Sequence, residues 1–254
     1  MVSSSSRFSS ATPTVDATRL ADVPAPLAAT GSESRRIAPS LFQHDYLVLS
    51  FLYRDIARGL AMTPPRSPRR GEAVDVGAGG GPYRALLDRA GYTTRTLDIA
   101  PGPGVDIVGQ AESTGLADAS VDLVICTQVL EHARTPWLAM REFARILRPG
   151  GSVLFSVPHI WFHHPHPHDY WRMTVEGVVA LCEEGDLQVV DVKAQGGSAA
   201  ALFQAFNFLL YGALGRFGAP LFAIANVAGR GADALVRDSR FTLNHVCVAR
   251  KPTA

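Results

Sequence analysis

The stretch Trp161-Phe162-His163-His164-Pro165-His166-Pro167-His168-Asp169-Tyr170-Trp171 places four of the chain's eight histidines beside a carboxylate. Imidazoles titrate near neutrality and can remove a proton from a reacting group. Together with a carboxylate they also suit Zn, Fe or Ni. Pro165 and Pro167 favour an extended course, which turns His164, His166 and His168 to one side and His163 to the other. Alternate residues of an extended chain stand about 7 Å apart. A single ion held by all three would need the loop to bend, so no resident metal is expected. His159 and His168 are the candidate general bases, His168 because the adjoining carboxylate could orient it. Asp169 is a candidate for the same machinery, or an anchor paired with Arg172. His132, in Leu130-Glu131-His132, reads as structural.

A second cluster of chemistry is the run VDVGAGGGPY, residues 74–83. A short apolar strand ends in Gly77-Ala78-Gly79-Gly80-Gly81, and glycines let a ligand approach the backbone closely. Asp98, at the end of the following strand, is placed to accept hydrogen bonds from ribose hydroxyls. Pro82 stands where a dinucleotide fingerprint requires Gly or Ala, which argues against a nicotinamide cofactor. A turn without any ligand is the plain alternative.

These residues need elements to position them. Val48, Leu52, Ile56 and Leu60 form one stripe of a helix that Ser40 would cap. AVDVG, TTRTLDI, VDLVICT and SVLFSVP read as strands, the third a nearly continuous apolar run suited to a parallel strand covered on both faces. Helices fall between them: one over PYRALLDRAG, one from Thr135-Pro136 to RPGG, and one that Thr174 begins and Gly185 ends. LQVVDVKA and FTLNHVCVA are two final strands. This alternation predicts an open, doubly wound α/β sheet. In such sheets ligands bind beyond the carboxyl ends of the strands, and the histidine loop leaves SVLFSVP at that edge.

Residues 1–36, rich in Ser, Ala, Thr and Pro, read as a disordered tail without a secretory signal. Residues 37–70 read as a helix and linker, and 71–254 as the main domain. The 24 basic and 23 acidic residues leave a net +1, which disfavours nucleic acid as a partner. Cys126, Cys182 and Cys247 lack metal or disulfide spacing, which suits buried thiols in a cytoplasmic protein. The insert 195–238 carries an uncharged helical stripe: Leu202, Phe203, Phe206, Leu209, Leu210, Ala213 and Leu214. It reads as a packing or dimerising lid. Peripheral membrane or lipid-substrate contact and a single span are the alternatives.

VDVGAGGGPY, TLDI and GQAESTGLADASVDLVICTQVLEHARTPWLAMREFARILRPGGSVLFSVP, in this order and spacing, resemble the class I S-adenosylmethionine-dependent methyltransferases of the type 11 group. The resemblance covers roughly residues 72–194 and the last strand. It implies a Rossmann-like, mostly parallel seven-stranded sheet with an antiparallel last strand. It implies S-adenosylmethionine as cofactor. Asp75, Gly77, Ala78 and Gly79 would face its methionine part and Asp98 its ribose. Ile99 would lie against the adenine, Ala111 and Glu112 at the adenine amine, and Thr127 and Gln128 at the sulfonium. Gln110 stands where the group more usually has an acid. The expected reaction is methyl transfer to oxygen or nitrogen of a small, fairly hydrophobic acceptor. A C-methyltransferase, a metal-dependent one and a non-catalytic partner subunit are the alternatives.

Overall fold

The apolar runs become the central strands of one sheet. The computed structural model describes residues 32–66 and 70–253. Its strands are β1 (Gly71–Val76), β2 (Tyr92–Asp98), β3 (Ile107–Val108), β4 (Val121–Thr127), β5 (Leu147–Pro158), β6 (Gln188–Gln195) and β7 (Asn244–Arg250), in the order β3-β2-β1-β4-β5-β7-β6. The first five are parallel, and β7 runs antiparallel to both β5 and β6. The two-residue β3 lies below the length at which a hydrophobic period can be read.

Helices α1 (Ser32–Ile37), α2 (Tyr46–Ala61), α3 (Arg84–Arg89), α4 (Pro136–Ile146), α5 (Val175–Glu183), α6 (Ser198–Leu214) and α7 (Ala219–Val236) surround the sheet. One apolar cluster joins β4 and β5 to Met140, Phe143, Val178 and Leu181 of α4 and α5. A second, on the other face, joins them to Leu52, Ile56 and Leu60 of α2 and to Leu86 and Leu87 of α3. Central strands buried on both faces thus carry continuous apolar runs.

Three local expectations change. Residues 32–36, assigned by composition to a tail, form most of α1; Ile37, at its end, is buried in the second cluster. Residues 1–31 lie outside the described residues. Helix α2 begins at Tyr46 and not near Ser40, whose hydroxyl accepts from Phe42 N–H in a separate turn. The first turn of α2 is served from far along the chain: Gln204 Oε1 accepts from Val48 N–H at 3.2 Å.

That contact reveals how the insert packs. Most of the apolar stripe is exposed, and the amides face inward. Gln204 and Asn207 of α6 and Asn226 of α7 are buried, while Leu202, Phe206, Leu209, Phe217, Ile224 and Leu235 are exposed. Gln204 Nε2 donates to His44 O at 2.7 Å, and Asn226 Nδ2 to Leu41 O and Gln43 O at 2.7 and 2.9 Å. Asn207 Nδ2 completes the chain to Asn226 Oδ1 at 2.8 Å. Residues 41–48 offer backbone groups that no sheet or helix satisfies, and buried backbone groups must be paired. The helical hairpin therefore turns its amides inward beside Phe222, and most of its other large apolar side chains outward.

Candidate active site

At the carboxyl end of β1 the glycine turn folds under two steric demands. Gly77 has φ +70°, and a Cβ there would stand 2.3 Å from Val129 Cγ2 of the segment after β4. Gly79 has φ +54°, with nothing within 4 Å of its Cβ position. The first glycine admits the neighbouring chain, and the second borders open space. Gly79 N–H donates to Asp98 Oδ2 at 2.8 Å, tying the turn to the end of β2. Ala78 N–H is held by Leu97 O at 3.2 Å.

Asp75 is buried, and its Oδ2 has no hydrogen-bond partner among the described residues. Burial raises its pKa to about 7, opposed by the nearby charges of Arg36 and Arg84. A buried orphan acceptor beside an open glycine cradle fits the ammonium-bearing end of an amino-acid cofactor. Asp98 retains an Oδ1 whose internal contact is a long 3.4 Å bond from Ala100 N–H, and Ile99 is 66% exposed beside it. Ala111 is buried and Glu112 half-buried, on a turn closed by the Gln110–Ser113 bridge. Thr127, buried, ends β4, and Gln128 follows at φ +56°. Its backbone and side chain are both held by Ser156, at 3.0 and 3.1 Å. A left-handed non-glycine residue held this firmly marks a site where the chain is made to turn. The turn delivers Glu131 and His132.

The histidine loop, residues 159–174, joins β5 to α5 across this mouth. Arg172 grips Asp169 through both carboxylate oxygens, Nη1 to Oδ1 at 2.6 Å and Nη2 to Oδ2 at 2.7 Å. His164 N–H also donates to Asp169 Oδ2, at 2.9 Å. The guanidinium beside it holds the Asp169 carboxyl well below the usual carboxylate range. Asp169 is thus engaged on both oxygens by Arg172 and not by His168, whose imidazole is exposed, 5.4 Å from the Tyr170 ring. His159 is half-buried, its Nδ1–H on Met173 O at 2.9 Å and its ring 5.1 Å from that of buried His245. Burial lowers the His245 pKa to about 4.

The aromatic part of the loop meets the insert. Trp161 and Phe162 lie 5.0 and 4.9 Å from Phe208 of α6, ring to ring. Between loop and helix is a cavity of about 180 Å³, lined by Ile160, Trp161, Phe162, Ala201, Ala205 and Leu243, with Gln204.

Residues 74–155 match a family described as a methyltransferase domain. Residues 74–155 are thus a methyltransferase domain. Over 104 residues the chain is 38% identical to a malonyl-[acyl-carrier protein] O-methyltransferase of Methylococcus capsulatus, covering 35% of this chain and 38% of that protein. It is 32% identical to a ubiquinone biosynthesis O-methyltransferase of Ralstonia nicotianae over 112 residues, 38% of this chain and 46% of that one. The chain spans less than half the length of the curated relatives it matches. Among solved structures, the [4+2]-cyclase SpnF superposes with a TM-score of 0.53 at 17% identity, over 79% of this chain and 81% of that one. At this identity the likeness concerns the fold alone.

Sequence reasoning overlooked one residue of the methyltransferase domain's mouth. Glu131 is fully buried, with both carboxylate oxygens unpartnered among the described residues, and burial raises its pKa to about 8. Its neighbour His132, read as structural, donates Nδ1–H to His168 O at 2.6 Å. The signal available beforehand was an acid next to a histidine just past a strand end, with no indication that the acid is buried.

Proposed function

We propose that this protein transfers a methyl group from S-adenosylmethionine to an oxygen or nitrogen of a small, fairly hydrophobic acceptor. The observation that carries the reading is the buried, unpartnered Asp75 carboxylate beside the Gly79–Asp98 bond. The bound cofactor supplies a methyl group activated by a positively charged sulfur. Asp75 would hold the ammonium, Asp98 the ribose, Ile99 the adenine face, Ala111 and Glu112 the adenine amine, and Thr127 and Gln128 the edge nearest the sulfur. The protein's task is to hold the acceptor in line and keep water out. Trp161 and Phe162 would form the acceptor's apolar wall. His159, with its Nδ1 proton committed to a carbonyl, has Nε2 as the nitrogen to take the acceptor's proton.

The two curated relatives named above are O-methyltransferases, which favours oxygen as the acceptor atom. Labelled cofactor incubated with phenols, quinols, carboxylic acids and a cell extract tests the reaction. Label should enter an apolar product that gains the mass of one methyl group. Tight cofactor binding with no label transferred to any acceptor would instead favour a non-catalytic partner subunit.

The outward face of α6 and α7 supports a further part of this reading: the insert rests on a lipid surface. Its buried Gln204 and Asn226 amides are bonded to residues 41–48, its exposed side chains include Leu209, Phe217 and Ile224, and Arg216 and Arg230 are exposed. A face of this kind suits the boundary of an anionic bilayer, from which an apolar acceptor could reach the neighbouring cavity.

A further inference from the structure

The buried Glu131 carboxylate has no hydrogen-bond partner on either oxygen among the described residues. His132 Nε2 stands 3.9 Å from its Oε1, too far for a hydrogen bond. Of the two cations near it, Arg172 and Arg36, Arg172 is bonded to Asp169. Such a group costs stability unless something else meets it. Two imidazoles approach it: one ligand atom each from Glu131, His132 and His164 lie within 4.8 Å of one another. They come from different segments, the turn after β4 and the loop after β5, so the extended histidine run never had to chelate by itself.

The two rings are also prepared electronically. A carbonyl can only accept, so the contact of His132 Nδ1 with His168 O puts a proton on Nδ1 and makes Nε2 the lone-pair nitrogen. His164 repeats the pattern: its Nδ1 stands 3.1 Å from Phe162 O and 3.3 Å from Asp169 Oδ2. Metal-binding histidines typically donate their other nitrogen's proton to a carbonyl or carboxylate, which fixes the ring and its tautomer. Ligand atoms around zinc stand roughly 3.3 Å apart, given bonds of about 2.0–2.1 Å. The side chains must therefore close by about 1.5 Å or less.

We propose that Glu131, His132 and His164 bind one divalent transition-metal ion, with zinc as the representative. Two imidazoles and one carboxylate are the donor set of sites that leave a fourth position open. Binding does not depend on the methyl-transfer reading. The ion's use does rest on it: at the acceptor mouth the open position would take the acceptor's oxygen and lower its pKa as a Lewis acid.

The test is titration of the untagged full chain with Zn²⁺ by calorimetry and with Co²⁺ by visible absorption. One equivalent should bind, with Co²⁺ bands of a four- or five-coordinate ion. Glu131→Gln, which preserves shape, and His164→Ala should each weaken binding at least 100-fold while circular dichroism stays native. A His163→Ala/His166→Ala/His168→Ala variant should bind as the wild type does. Loss of binding in that triple variant alone would mean adventitious surface chelation and overturn the site, as would unchanged binding in Glu131→Gln or no binding at all. Cofactor affinity, measured beside it, reports separately on the methyltransferase reading.

Discussion

The backbone N–H of Gly79 donates to the carboxylate of Asp98 across 2.8 Å, so the turn after β1 and the end of β2 are one unit. On the proposed reading Asp98 would hold the ribose. Here its removal also frees the glycine turn. Hydrogen bonds to a charged group are each worth about 1.5–3 kcal/mol. Asp98→Ala should therefore raise the cofactor Kd roughly 10- to 100-fold or more, measured by calorimetry, with little change in Tm.

Gly77 is constrained by contact as well as by angle. An alanine there meets Val129 at 2.3 Å while held at φ +70°. The two penalties together are roughly 2–4 kcal/mol. Gly77→Ala should lower Tm, and adding Val129→Ala should recover the part due to the clash. No recovery would assign the whole cost to the backbone angle.

Asp75 predicts a pH dependence with a definite sign. Its folded pKa of about 7 lies above the ordinary 3.8 of an aspartate, because burial favours the neutral acid. The folded state then binds the proton more tightly, so this contribution is full below about 4 and is lost as pH rises through about 7. Tm of the cofactor-free protein should fall over that interval. Asp75→Asn should flatten this part of the profile. S-adenosylmethionine, whose ammonium would meet the carboxylate, should stabilise the wild type more at pH 8 than at pH 5.

Removing Asp169 distinguishes an anchor from a catalytic group. Its side chain is 1% exposed and that of Arg172 27%. Taking one partner from such a pair costs about 3 kcal/mol, the lower end for buried pairs. Asp169→Ala should lower Tm and loosen the histidine loop to proteolysis, with the cofactor Kd unchanged. A large loss of turnover at unchanged Tm would return Asp169 to the chemistry.

The outward face of the insert makes the lipid reading measurable. The full chain should float with phosphatidylglycerol vesicles, and Phe217→Ser/Ile224→Ser should reduce the bound fraction several-fold. A concentration-dependent dimer that ignores vesicles would show that the face meets a second copy instead.

What the sequence determined by itself is what local periodicity and turn chemistry encode. VDLVICT became β4 residue for residue, because a strand covered on both faces has no polar alternation to obscure it. The glycine turn and Asp98 were legible because their spacing is set by one strand-helix-strand unit. Thr174 capped its helix as read, accepting from Gly177 N–H at 3.2 Å. Tertiary structure alone decided which polar groups are buried and what they meet. Gln204 and Asn226 are amides in largely apolar helices, and they serve backbone groups some 160 and 185 residues earlier. Nothing local marks Glu131 as buried, yet it lies beside histidines from two segments. A hydrophobic pattern reports which residues leave water on average. It carries no information about a long-range partner, and for a buried polar group that partner is the whole of its role.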